Sequence, residues 1–257
     1  MSPASSLTGV NTKVLKNGDP APPAPAPETF RIYNMRFCPW AQRALIYAAV
    51  HNIPTEVVNI HLKEKPEWYF SKHFKGQVPT LEHDEGRKVV IESAVIPEYL
   101  DDLFPATRVL PTDPYQKALQ KLLLERLVAV APAFYGLIAA AKDPKLKEEK
   151  YAALAKAVEE AEKLLTAEYF SGTSKPGYVD YLIFPNLQRV QWASHILTDL
   201  PISSTGFPGP QYPKLSAWYQ KIDNHPAVQA ASQPTELGVQ FFKEVMTGGT
   251  PNYDYGL

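Results

Sequence analysis

The segment from Phe30 to Val50 changes its repeat once, and that change constrains what the chain can fold into. Phe30-Arg31-Ile32-Tyr33-Asn34 alternates from residue to residue, as a strand does. Beyond it, Ala41, Leu45, Ala48 and Ala49 recur at the spacing of one helix face. Met35 to Phe37 is left as the turn, and Pro39 stands at the first helical position, where a missing N–H breaks no hydrogen bond. Cys38 therefore falls at the N-cap, with its sulfur near unpaired N–H groups and the positive end of the helix dipole.

Cys38 is the only cysteine among 257 residues. The thiolate is the nucleophilic form, and an ordinary pKa of about 8.5 leaves only about 3% of it at pH 7. Helix N-termini can lower that value to roughly 3.5–7.5, which makes the thiolate a major species. Arg36 and Arg43 are close in sequence, which does not say whether either faces the sulfur. An unpaired cysteine can also be simply a small buried apolar residue. Strand, turn, cysteine and proline in this order favour a reactive thiol. A single cysteine cannot close an internal disulfide and suits a reducing compartment. Residues 1–28 lack the apolar core of a secretory signal, and no stretch approaches the ~20 apolar residues of a membrane span, so a cytoplasmic location is expected. Lys plus Arg is 26 against 27 Asp plus Glu, and this balance argues against a general affinity for nucleic acid or acidic membranes. His51, His61, His73, His83, His195 and His225 show no ligand spacing, so no metal is expected.

Along the chain, residues 1–28 form a Ser-, Pro- and Ala-rich extension, expected to be extended and polyproline-II-like. Residues 29–104 read as strand, helix, strand, helix, strand, strand, helix. The second strand covers Pro54 to Ile60, and a short helix opens at Lys65-Pro66. Strands follow at Gln77 to Glu82 and Arg87 to Ile91, and a helix from Glu92-Ser93 to Leu103. A βαβ half followed by a ββα half is a thioredoxin-like arrangement. Residues 105–114 are a proline-bearing linker, and residues 115–257 are almost wholly helical. The first helical pattern there starts at Pro114, reaches about residue 141, and is expected to kink at Pro132. Further helices are expected over residues 145–167, 180–197 and 212–223, with shorter pieces to Val245.

Several stretches together resemble the omega class of glutathione transferases. They are Ile32-Tyr33-Asn34-Met35-Arg36-Phe37-Cys38-Pro39-Trp40, Asn59-Ile60-His61-Leu62-Lys63-Glu64-Lys65-Pro66-Glu67-Trp68, Gln77-Val78-Pro79-Thr80-Leu81-Glu82 and Glu92-Ser93-Ala94. Leu110-Pro111-Thr112-Asp113-Pro114-Tyr115, Asp180-Tyr181-Leu182-Ile183-Phe184-Pro185 and the final Asp254-Tyr255-Gly256-Leu257 extend the resemblance over roughly residues 25–257. It implies the cytosolic glutathione transferase fold, an α/β thioredoxin-like N-terminal domain plus an all-α C-terminal helical domain, with glutathione as co-substrate. Val78, before a cis Pro79, would pair its backbone with the cysteinyl unit of the tripeptide. Ser93 and its N–H would receive the γ-glutamyl carboxylate, and Glu92 the ammonium. Lys65, with Leu62 nearby, would meet the glycyl end. Phe37, Trp40 and Arg189 would line an acceptor site in a cleft between the domains. A homodimer through the helical domain is also implied. Asn186 departs from the bulky aromatic expected one turn before Arg189. Gly177 stands where many transferases carry a Ser or Thr cap, and Asp180 reads as structural.

Ala41 occupies the place of the resolving cysteine in a Cys-X-X-Cys motif. The resemblance then implies a one-thiol reductase, a thiol transferase acting on glutathione mixed disulfides, dehydroascorbate or methylated arsenic species. The alternatives are ordinary conjugation of glutathione to electrophiles, and a non-catalytic or membrane-inserting regulator similar to the intracellular chloride-channel family. For the last, residues 41–50 are apolar but too short to span a bilayer.

Overall fold

The structure is a computed structural model that describes residues 6–140, 142–198 and 202–257. The chain forms two compact units. The first takes the residues up to Arg108 together with Pro226–Gln233 and Asn252–Leu257. The second takes Val109–His225 and Pro234–Pro251.

The first unit is built on a five-stranded mixed sheet in the order β1-β3-β2-β4-β5. Its strands are β1 (Leu7–Thr8), β2 (Phe30–Asn34), β3 (Thr55–Asn59), β4 (Thr80–His83) and β5 (Lys88–Ile91). β2 runs parallel to β3, with Ile32 opposite Val57, and antiparallel to β4, with Ile32 opposite Leu81. The parallel pair requires a crossover, and helix α1 (Pro39–Val50) supplies it. Ile32, Leu81, Ala41, Ala44 and Leu45 are buried in the apolar core of this unit, as are Ile96 and Leu100 from helix α2 (Val95–Leu103).

The alternation seen in β2 does not separate a wet face from a dry one. Arg31 and Tyr33 are buried too, because cross-strand neighbours complete them. Arg31 donates from Nε and Nη2 to Glu56 Oε2 over 2.9 and 2.7 Å, and from Nη1 to Glu82 Oε2 over 3.3 Å. Tyr33 Oη donates to the same Glu82 oxygen over 2.7 Å, and Lys72 pairs with the other. Burial alone would push the Glu82 carboxyl up, yet the Lys72 and Tyr33 hydrogen bonds and the Arg31 charge bring it below the usual range.

Three expectations about organisation change here. First, the N-terminal extension is not only a polyproline-like tail: Leu7 and Thr8 add a parallel strand to the free edge of β3. Asn59 Nδ2 then donates to the carbonyls of Gly9, Val10 and Thr12. Second, the helical region over 115–257 is not one body. Helix α8 (Pro226–Ala230) buries Ala227 and Val228 and packs on α1, and the last residues also join the first unit. Third, the helix after β5 starts at Val95, not at Glu92-Ser93, because Glu92 takes a left-handed backbone with φ +77°.

The remaining helices are α3 (Pro114–Leu127), α4 (Val130–Ala139), α5 (Pro144–Leu164), α6 (Tyr178–Ser194), α7 (Pro213–Asp223) and α9 (Thr235–Thr247). The kink expected at Pro132 is instead a break at Val128-Ala129. Pro132 thereby sits in the first turn of α4, where its absent N–H has no intrahelical partner to lose. Residue 141, the expected end of this pattern, lies outside the described residues. Helix α6 is buried on nearly every side, and Asp180 secures its start. Its carboxylate accepts from the N–H groups of Gly177, Phe170 and Ser171 over 2.8, 2.8 and 3.1 Å and from Trp218 Nε1 over 2.7 Å. Burial pushes this carboxyl up against the pull of those four donors.

Candidate functional site

Cys38 is the N-cap of α1, with extended backbone (φ −81°, ψ 118°) and no side-chain cap hydrogen bond. Its N–H donates to Met35 O over 2.8 Å, which closes the turn, and its carbonyl accepts from Gln42 N over 3.1 Å, which opens the helix. The residue is 7% exposed. Of the two arginines left open by the sequence, Arg36 is engaged elsewhere. It donates to Tyr255 O over 2.7 Å and to Gln233 Oε1 over 2.9 Å, drawing the chain's end onto the turn that carries the thiol. Burial lowers the pKa of this guanidinium, while Asp254 opposes that effect. Arg43 reaches Ser93 instead, with Nη1 3.4 Å from Ser93 Oγ.

The Val78-Pro79 peptide is cis. Val78 is buried, and among the described residues nothing pairs with its N–H or C=O, so a two-point backbone edge stands ready. Gly76 precedes it at φ +59°, and a Cβ placed there would lie 2.8 Å from Lys65 Cδ. The missing side chain makes room for the lysine stem to lie against this turn. Lys65 is half-buried and has no ion-pair or hydrogen-bond partner among the described residues; Leu62 is half-buried as well. Pro66 caps a 3-10 helix over Glu67–Ser71, the short helix expected here.

Glu92 is exposed, and its carbonyl accepts from both Val95 N and Ile96 N over 3.1 Å. Ser93 is half-buried beside Arg43, and Ala94 takes the N-cap position of α2. A left-handed glutamate is an uncommon conformation that costs on the order of 1–2 kcal/mol and is typically retained where function needs it. No compositional signal announces it.

The acceptor residues behave differently from expectation. Trp40 is 37% exposed, two residues after the thiol. Phe37 is 1% exposed, with the Arg36 guanidinium 5.5 Å above its ring, and is buried in the core of the first unit. Arg189 is also 1% exposed. Its guanidinium stacks 4.4 Å from the Trp192 ring and donates to Gln188 Oε1 over 2.7 Å, all on α6. Asn186, one turn earlier, is buried, and among the described residues neither amide atom has a hydrogen-bond partner.

Comparison with known proteins identifies the family. The model for the glutathione S-transferase N-terminal domain matches residues 32–108, and that for the C-terminal domain matches residues 127–226. A probable glutathione transferase omega-2 of Caenorhabditis briggsae is 68% identical over 98% of this chain and 99% of its own length. Glutathione transferase omega-1 of Caenorhabditis elegans is 47% identical over 98% and 99%. Among solved structures, glutathione transferase Omega 3C from Trametes versicolor superposes with a TM-score of 0.72 at 22% identity, over 87% of this chain and 92% of that one, a likeness of fold. With a thioredoxin-like sheet, a helical second unit and relatives matched from end to end, the chain belongs to the omega class of glutathione transferases and is a glutathione-dependent enzyme.

Proposed function

We propose that the enzyme is a one-thiol transferase and reductase centred on Cys38. The observation that carries this reading is a lone cysteine at a helix N-cap, with Ala41 where a resolving thiol would stand. The Cys38 thiolate attacks the glutathionyl sulfur of a mixed disulfide, forming Cys38–S–S–glutathione. The substrate leaves as a thiolate that takes a proton from solvent. A second glutathione thiolate then attacks the glutathione sulfur, releasing oxidised glutathione and restoring the Cys38 thiolate. Each cycle reduces one mixed disulfide and releases one oxidised glutathione, made from the glutathionyl group of the substrate and one added glutathione.

In this reading the Val78 N–H and C=O pair with the cysteinyl backbone of glutathione, placing its sulfur near Cys38. Ser93 and Glu92 take the γ-glutamyl carboxylate and ammonium, and Lys65, with Leu62, takes the glycyl carboxylate. Dehydroascorbate and methylated arsenic species are further acceptors, reached past Trp40. No metal is required. A cytoplasmic location follows from the thiol's need for reduced glutathione. The exposed Tyr115, Leu119 and Leu122 on α3 support a homodimer through that helix.

Cys38→Ala tests the mechanism directly. Reduction of a glutathione mixed disulfide should fall by about a thousandfold or more, and full retention would sink it. The rival reading, conjugation of glutathione to an electrophile, needs no enzyme thiol, so the same variant should keep or improve that activity. A membrane-inserting regulator is the other alternative. Contrary to the expectation that no stretch approaches a membrane span, Pro114–Ala139 is long and apolar enough by composition, but it is broken between α3 and α4, and core helices of soluble proteins pass the same test. Liposome flotation with and without oxidant separates that reading from ours.

A further inference from the structure

The turn that presents Val78 has a fastener outside the residues assigned so far. Tyr69, on the 3-10 helix Glu67–Ser71, is fully buried. Its hydroxyl donates to the Gln77 carbonyl over 2.6 Å and pairs with Thr80 Oγ1 at 3.0 Å. Gln77 immediately precedes Val78, and Thr80 immediately follows Pro79, so one hydroxyl holds the turn on both sides. A phenol can do both at once, donating its single proton and accepting the proton of Thr80 on a lone pair.

The ring has little freedom to move. Tyr33 lies against it with centroids 5.2 Å apart, and Trp68 meets it edge-on at 5.9 Å. Burial pushes the Tyr69 phenol well above its ordinary pKa, and negative charge at Cys38 acts in the same direction, so it keeps its proton and stays a donor. Lys65 and Pro66 lead directly into the same helix, and the Lys65 stem lies against Gly76. Tyr69 thus ties the segment bearing Lys65 to the segment bearing Val78.

We infer that Tyr69 is a positioning residue for glutathione, setting the place of the Val78 N–H and C=O through its bond to the Gln77 carbonyl. The inference rests on the reading of Val78 as the residue that pairs with the tripeptide. The test uses the full-length protein as wild type, Tyr69→Phe, Thr80→Val and the double variant, assayed for mixed-disulfide reduction over a range of glutathione concentrations. Tyr69→Phe should raise KM for glutathione about five- to tenfold with kcat held within about twofold, the loss of one well-placed hydrogen bond. Thr80→Val keeps the Gln77 bond and should shift KM by no more than about twofold. In the double variant the stranded threonine hydroxyl is gone, so the thermal midpoint should recover relative to Tyr69→Phe while KM stays raised. A lowered midpoint with unchanged KM in Tyr69→Phe, or recovery of both in the double variant, overturns the inference alone. Absence of any saturable glutathione dependence in the wild type overturns the binding reading and this inference together.

Discussion

Two polar regions of the first unit follow opposite rules. Around β2, Glu82 is buried and receives Arg31, Tyr33 and Lys72, and Glu56 takes the rest of the Arg31 fork. Around the Val78 turn the pattern reverses. Val78 is buried and, among the described residues, neither its N–H nor its C=O is paired and Lys65 has no partner, while Glu92 holds a left-handed backbone three residues ahead of α2. The difference supports the reading of the second region as the glutathione site. A chain that pairs one set of buried charges so closely leaves groups open where a ligand completes them.

Breaking the paired region should have the largest effect. Glu82→Ala removes the buried carboxylate that receives Arg31 Nη1, Tyr33 and Lys72, leaves Arg31 with Glu56 alone, and should cost about 3–5 kcal/mol, read from urea unfolding. The pH dependence sharpens this. Glu82 has a folded pKa below its unfolded value, so its contribution is present above the usual carboxylate range and is lost as pH falls through the depressed folded value. Urea midpoints measured between about pH 6 and pH 3 should decline in the wild type, and Glu82→Gln should flatten part of that slope.

A buried polar group without a ligand provides the intermediate case. Asn186 in the second unit is unpaired at both amide atoms among the described residues, and replacing it with the similar-sized leucine should stabilise the protein by about 1–2 kcal/mol. An unchanged or lowered unfolding midpoint would instead mark Asn186 as completed by an acceptor or a water. The smallest stability change is expected at Glu92. Glu92→Gly relieves the left-handed strain and should gain about 0.5–1 kcal/mol while weakening glutathione binding, measured by calorimetry. Gain of stability together with loss of affinity would separate this open region from the paired one within a single variant.

Much of this was legible from residue pattern. The βαβ opening and the N-cap cysteine rest on local periodicity and proline placement, which short-range sterics enforce. The cis Val78-Pro79 turn came only from the family resemblance, since pattern alone reads Gln77 to Glu82 as one strand, whereas the strand begins at Thr80. What escaped was non-local. Leu7 and Thr8 form a strand only because β3 offers a free edge, and nothing in a Ser- and Pro-rich extension predicts that pairing. Residues 226–233 return to α1 across a sequence separation that no window spans. The family resemblance assigns Phe37 and Arg189 to an acceptor site, and tertiary packing buries both. The Arg189–Trp192 stack, three residues apart on one helix face, is the one correction that helical spacing alone could have supplied. Tyr69 carried no signal, since its hydroxyl matters only once Gln77 and Thr80 fold back over it.

The most direct measurement of the central claim is a peptide-resolved mass spectrum of the protein after incubation with oxidised glutathione. One glutathionyl adduct per chain, located on Cys38 and removed by reduced glutathione, is the predicted result. An unmodified Cys38 under conditions that support turnover would contradict it.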